Sequence, residues 1–253
     1  MHRGLPIRPT WRLIPAIEAS GATQMAIDQW LLAQHQAGQQ PSILRFYTWS
    51  PIAISLGYHQ KRYPSHWQTL TWQDRPVDLV RRPTGGRAVL HQGELTYAVI
   101  TSGLHGHRMD IYRHLCMFLI CGWQSFGVTL AFGNAGRGYI HNPNCFGTAT
   151  AADLVTPEGY KLIGSAQLYR NGCVLQHGSM RLQPDESLFE QVFEEALQPP
   201  SQSPHQSLRV NKTALLTALV HAAEQCFEMK LTVKPLSKSE IQTACQQYPI
   251  NNI

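Results

Sequence analysis

Apolar positions along the chain switch repeatedly between helical and alternating spacing, so helices and strands are expected to intermix from one end to the other. Ser20 is suited to cap a first helix in which Ala22, Met25, Ala26 and Trp30 recur at helical spacing. The β-rich runs at 42–47 (SILRFY) and 52–57 (IAISLG), separated by Trp49-Ser50-Pro51, predict a hairpin. Strands are expected at 77–82 and 95–101, with the segment PTGGRAVLHQGE between them. Asp110 is placed to cap a second helix with Ile111, Leu115, Phe118, Leu119 and Gly122 on one face, and 128–133 (VTLAFG) returns as a strand. Asn134–Thr150 is rich in Gly, Asn, Pro and Thr and has no periodic apolar face, which is loop chemistry. The apolar runs at 160–170 and 172–182 meet at Asn171-Gly172, a dipeptide suited to a two-residue hairpin turn. After Pro184 the pattern becomes helical. Ser187 and Glu190 stand at capping-box spacing, a helix carries Leu215, Leu219, Ala222 and Cys226, and Ser237 and Glu240 form a second candidate box. The stretch 198–207 (QPPSQSPHQS) reads as a linker, and no repeat of 20–50 residues is present.

Composition narrows the class. At 253 residues and 28.4 kDa the chain lies at the upper end of what one hydrophobic core supports. With 43% hydrophobic and 15% charged residues it is expected to be a folded globular protein. The first residues carry no apolar run of signal-peptide length, and no eighteen-residue apolar stretch occurs, so no membrane association and a cytoplasmic location are expected. Cys116, Cys121, Cys145, Cys173, Cys226 and Cys245 are scattered and lack a C-x-x-C pair, as expected of reduced thiols. The formal charge of +5 favours encounter with acidic partners. It is not gathered into the basic stripe with interleaved aromatics that nucleic-acid binding needs, and no nucleic-acid partner is expected. His105, His107 and His114 lack a carboxylate or cysteine at ligand spacing, so no metal is expected either.

Three places hold candidate chemistry. Thr84-Gly85-Gly86 follows a strand and lies between Arg82 and His91; a Gly-Gly pair there either makes a tight turn or lets backbone N–H groups approach an anionic or carbonyl-bearing ligand. It matches neither a P-loop nor a dinucleotide fingerprint. Cys145 lies in a polar loop, whereas Cys116, Cys121 and Cys226 fall within amphipathic helices and read as core residues. A thiol of ordinary pKa, about 8.5, is only a few per cent ionised at neutral pH, so a nucleophilic Cys145 needs a neighbouring cation, for which Lys161 is available. Cys173 is the rival, but it begins an apolar strand. His91 and His177 read equally as acid/base groups and as structural hydrogen-bonding residues.

The run RRPTGGRAVLHQGELTYAVI (81–100), the segment NCFGTATAADL (144–154), KLIGSAQ (161–167) and LQHGSM (175–180) occur in that order. Together they resemble the biotin/lipoate protein ligase catalytic-domain family, and within it the cysteine-dependent octanoyl-[acyl-carrier-protein]:protein N-octanoyltransferases. The resemblance runs from about Trp11 to Arg181. It implies an α+β fold, a mixed β-sheet flanked by helices with a helical C-terminal segment, in agreement with the hydropathy pattern. It implies a catalytic core over 11–183, with 184–253 a helical C-terminal extension of the same domain. By position, the resemblance makes Cys145 the acyl-thioester nucleophile and Lys161 the lysine that lowers its pKa. It places Arg82, Thr84, Gly85, Gly86 and His91 on the acyl-binding loop and Ser165, Ala166, His177 and Gly178 on the strands lining the pocket. Gly147-Thr148-Ala149 and one extra residue before the lysine depart from the usual pattern.

The activity so implied moves an octanoyl group from octanoyl-acyl carrier protein, through a Cys thioester, to a lysine of a lipoyl-domain protein such as the glycine cleavage H protein, with no cofactor. Three other readings share the residues: an ATP-dependent lipoate-protein ligase, an amidotransferase between lipoyl-bearing proteins, and a non-catalytic acyl- or lipoyl-domain-binding protein. Cys145 at the transferase position, and only about seventy residues after Gly178 for an accessory domain, argue against the ligase. The Cys145 and Lys161 pair argues against a binder.

Overall fold

A computed structural model describes residues 9–133, 152–195 and 210–250. Five α-helices occur among them: α1 (Gly21–Gln36), α2 (Arg108–Gln124), α3 (Glu186–Phe193), α4 (Lys212–Cys226) and α5 (Lys238–Gln247). Each begins where a side chain accepts a backbone N–H that the helix itself leaves unpaired. Ser20 caps α1 as expected, and Ser237 with Glu240 forms the full reciprocal box on α5. Two caps differ from expectation. The cap of α2 is His107, one turn before Asp110, whose carboxylate instead sits in the first turn against the helix dipole. The cap of α3 is Asp185, which accepts from Leu188 N, so Ser187 and Glu190 lie inside the helix rather than forming a box.

The main sheet has eight strands: β1 (Thr10–Ala19), β2 (Ile43–Trp49), β8 (Glu94–Ser102), β9 (Ala131–Phe132), β10 (Leu154–Val155), β11 (Lys161–Arg170), β12 (Cys173–Arg181) and β13 (Lys230–Val233), in the order β13-β1-β2-β8-β12-β11-β10-β9. A second sheet holds β3 (Ala53–Leu56), β6 (Asp78–Arg81) and β7 (Val89–His91), in the order β6-β3-β7. A short ribbon joins β4 (Thr71–Trp72) to β5 (Arg75–Pro76). The hairpin expected from 42–57 does not form. β2 is paired on both edges, by β1 and β8, so β3 has no free edge to join, and the turn at Ser50-Pro51 carries the chain into the second sheet. The expected strand at 128–133 contracts to β9. The segment after Pro184 is not wholly helical, because β13 pairs in parallel with β1 and extends the main sheet.

The hairpin at Asn171-Gly172 forms as expected: β11 and β12 pair antiparallel from Ile163↔Met180 to Arg170↔Cys173, with Asn171 at φ 50° and Gly172 at φ 74°. Alternation along β8 divides the core. Leu95, Tyr97 and Val99 face α2 and α4, while Ala98 and Ile100 face α1 with its Met25, Ile27 and Leu31. A third cluster joins Ile54, Leu56 and Leu79 of the small sheet to Trp67 and to Leu188 and Val192 of α3. No helix among the described residues is long and apolar enough to cross a membrane. The two sheets are joined where Thr84 of the Gly-Gly loop bonds His177 of β12 at 2.6 Å and His91 of β7 bonds Glu94 of β8 at 2.8 Å, and the site lies at that junction.

Candidate active site

The Gly-Gly loop is held in place by the arginine that precedes it. Arg82 donates from Nη1 to Ser55 O (2.8 Å) and from Nη2 to Gly85 O (2.8 Å) and Arg87 O (2.7 Å), so a buried guanidinium satisfies carbonyls that the turn cannot pair itself. Gly86 takes φ 93°, a left-handed conformation that favours glycine. The loop also packs so close to the end of β3 that a Cβ on Gly57 would lie 1.8 Å from Gly86 O.

Behind the loop two buried histidines are fixed through both ring nitrogens. His177 Nδ1 lies 2.8 Å from Asp28 Oδ2, and its Nε2 lies 2.6 Å from Thr84 Oγ1. Asp28 also accepts from Arg45 Nη1 (2.8 Å) and from the Tyr47 hydroxyl (2.9 Å). Burial alone would raise the Asp28 pKa, but the Arg45 guanidinium and His177 outweigh it and hold the carboxyl below its ordinary value. Tyr47 is pushed well up, mainly by burial, and stays a donor. His91 Nε2 lies 2.8 Å from Ser55 Oγ and its Nδ1 2.8 Å from Glu94 Oε1, with its ring stacked on Trp49 at 3.7 Å. Burial lowers the His91 pKa despite the Glu94 carboxylate, so the ring is neutral at physiological pH. In both rings a carboxylate lies against Nδ1 and a hydroxyl against Nε2. These rings form walls; neither has a nitrogen left to relay protons.

Two cavities open between these elements. The inner one is mainly apolar and is lined by Met25, Trp49, Val89, Ala166, Gly178 and the faces of His91 and His177. A Cβ on Gly178 would lie 2.4 Å from Ser165 Oγ and 2.8 Å from Tyr97 Cε1, so glycine is what keeps that wall open. The outer cavity, about 300 Å³, is lined by Gly85, Gly86, Arg87, Tyr112, Asp153, Lys161, Ser165 and Ala166. The two share Gly86, Ser165 and Ala166. Lys161 is buried at the start of β11 with its Nζ 2.9 Å from Asp153 Oδ2. The flanks of the preceding segment are joined beside it, Gly133 N donating to Asp153 O at 2.9 Å.

Of the residues expected from sequence, Arg82, Gly85, Gly86, His91, Lys161, Ser165, Ala166, His177 and Gly178 line one cavity or the other, and Thr84 supports the wall through His177. Cys145 lies outside the described residues. Sequence reasoning missed Asp28, Arg45, Ser55, Glu94 and Asp153. One signal was readable: Arg45 stands in the middle of an otherwise apolar strand, and a charge there requires a buried partner.

Residues 20–230 match the model of the lipoyl protein ligase A/B catalytic domain. The chain belongs to this family. It is similar to octanoyltransferase LipM of Kyrpidia tusciae, 38% identical over 192 residues that span 71% of this chain and 69% of the relative. It is likewise similar to octanoyltransferase LipM of Bacillus subtilis, 36% identical over 191 residues, 71% of this chain and 68% of the relative. Among solved structures, protein Ta0514 of Thermoplasma acidophilum with bound lipoic acid superposes with a TM-score of 0.75 at 19% identity, covering 94% of each chain. Lipoate-protein ligase A bound with ATP gives 0.75 at 20% identity, again over 94% of each chain. Those two structures establish the lipoyl ligase fold seen here; the octanoyltransferases are the relatives in sequence.

Proposed function

We propose that this member of the lipoyl protein ligase A/B family is an octanoyltransferase that takes an octanoyl group from octanoyl-acyl carrier protein onto Cys145 and passes it to a lysine of a lipoyl-domain protein such as the glycine cleavage H protein. The enzyme is an acyltransferase of protein lipoylation, with an acyl donor and a lipoyl-domain acceptor as its partners. The observation that carries the cysteine mechanism is the buried Lys161 ammonium, held by Asp153 at the wall of the outer cavity, beside the joined flanks of the segment that contains Cys145. An ammonium there favours the thiolate. The thiolate attacks the donor carbonyl, the carrier sulfur leaves as a thiolate that takes up the proton Cys145 had released, and the enzyme thioester is of similar energy, so no ATP is needed. The acceptor amine then attacks the new thioester, an amide forms, and Cys145 is released as a thiol once the amine has lost its proton. Backbone N–H groups of the Gly-Gly loop are assigned to the tetrahedral oxyanion of both steps.

Other described thiols fit the role poorly. Burial pushes the Cys116 thiol up to about 12 and also raises that of Cys173. Cys226 is pushed to about 11 by burial and the adjacent Cys121. Cys173 further sits at the far end of the β11–β12 hairpin, nine residues or about 30 Å along the strand from Lys161. The inner cavity is assigned to the octanoyl chain, each buried CH₂ contributing about 0.8 kcal/mol. Residues 184–253 are read as an extension of the 11–183 domain, and the free thiols accord with a cytoplasmic setting.

The test is transfer without nucleotide. Octanoyl carrier protein and an apo lipoyl domain are expected to give octanoylated acceptor in the absence of ATP, and Cys145→Ala to abolish it. A strict requirement for ATP and Mg²⁺ would assign the chain to the ligases instead.

A further inference from the structure

Next to the outer cavity, and sharing Gly85 and Gln167 with it, runs an open groove of about 830 Å³. Its walls come from α1, the start of α2, the end of β11, the turn after β3, the end of β6 with the Gly-Gly loop, and the residues following α5. The side chains that give it character are His59, Arg81, Arg108 and Arg170, with Tyr58 and Tyr169 beside them. Arg108 and Arg170 are exposed, Arg108 lies over the Tyr169 ring at 5.7 Å, and Tyr58 is 59% exposed. Arg81 is fixed by donating to Gly57 O (2.9 Å) and Gln60 O (2.6 Å). All sixteen acidic residues of the chain lie among the described residues, and none of them lines this groove. A chain with a modest net charge therefore concentrates cations where the cavity opens.

We propose that this groove is the docking surface of the acyl donor: an acidic carrier domain whose thioester arm is attached through a phosphodiester, with Arg108 and Arg170 facing its negative charge. The inference rests on the acyltransferase function above and adds where the donor binds. Charge complementarity selects the occupant. Guanidinium groups pair with phosphate and carboxylate oxygens in a planar, two-point geometry, and the tyrosines offer apolar surface beside the charge. Both partners can present acidic surface, but a lipoyl domain offers a lysine with no phosphate, whereas the donor carries a phosphodiester on the arm that must enter the cavity, and the exposed guanidinium groups suit that group. The groove adjoins the Lys161 cavity at Gly85 and Gln167, so a donor seated there has its arm next to that cavity.

The experiment compares two donors on the doubly charge-reversed enzyme, Arg108→Glu with Arg170→Glu. With octanoyl carrier protein, KM for enzyme acylation is expected to rise about tenfold or more, and its dependence on salt to weaken. With octanoyl-N-acetylcysteamine, which has neither phosphate nor protein, the rate is expected to stay within about twofold of wild type, as is transfer from pre-acylated enzyme to the lipoyl domain. The doubly substituted Arg108→Lys, Arg170→Lys enzyme, which keeps the charge, is expected to recover most of the loss. Equal losses with both donors would mean a structural role and overturn the proposal. So would an unchanged KM for the carrier. A loss confined to the second transfer would give the groove to the acceptor. Wild-type enzyme left unacylated by either donor would instead overturn the acyltransferase function, and this docking with it.

Discussion

Lys161 and Asp153 form a buried pair, each side chain about 5% exposed or less, and removing one partner strands the other charge. Asp153→Asn is expected to lower unfolding stability by about 3–5 kcal/mol in denaturant titration. Lys161→Ala is expected to move the alkylation profile of Cys145 to higher pH; an unchanged profile would remove Lys161 from its assigned role. His91 makes a prediction with a definite sign. Its folded pKa lies below 6.5, so stability is fully present above that value and is lost as pH falls through it, because the unfolded chain takes up the proton first. Unfolding measured from pH 7.5 to 5.5 should show this decline, and His91→Gln should flatten it. At this scale the sequence displayed the residue types but not their pairing. Arg45 in an apolar strand announced a buried partner, yet Asp28 is seventeen residues away on a different element, and no spacing rule connects the two.

Elements were legible where a local signal decides them and hidden where a distant partner does. Asn171-Gly172 specifies its turn through two adjacent positive φ values, and Ser237 with Glu240 specifies a cap within one turn of helix. Glu240 does more than its motif discloses, since both its oxygens receive Arg12 of β1, at 2.7 and 3.0 Å, fastening α5 to the main sheet. Its pKa is lowered chiefly by that hydrogen bonding. β13 has only four residues and no buried face of its own, so its place in the sheet follows from pairing with β1 rather than from hydropathy. The false hairpin at 42–57 has the same origin, because two adjacent apolar runs do not reveal that the first is already paired on both edges. Gly122 tests the packing of α2 on α4: a Cβ there would lie 2.6 Å from Leu219 Cδ2 and 3.3 Å from its Cα. Gly122→Val is expected to lower the unfolding midpoint by the equivalent of about 1–3 kcal/mol.

Across the whole molecule, the two sheets and the Gly-Gly loop assemble a site from residues 25 to 179 in sequence, which explains why ordered motifs found its lining while composition alone did not. The motif residues lie at the junction because loop, hairpin and sheet edge meet there. Their second layer of Asp28, Arg45, Ser55 and Glu94 comes from elements with no motif. The central claim is that the acyl group rests on Cys145 between donor and acceptor. Intact-mass analysis of the enzyme mixed with octanoyl carrier protein, without ATP or acceptor, followed by peptide mapping, measures it directly. One octanoyl group on Cys145, absent from Cys145→Ala and discharged by adding the lipoyl domain, is the expected result. An adduct mapped to Cys173, or acceptor octanoylation at the normal rate by Cys145→Ala, would contradict the account.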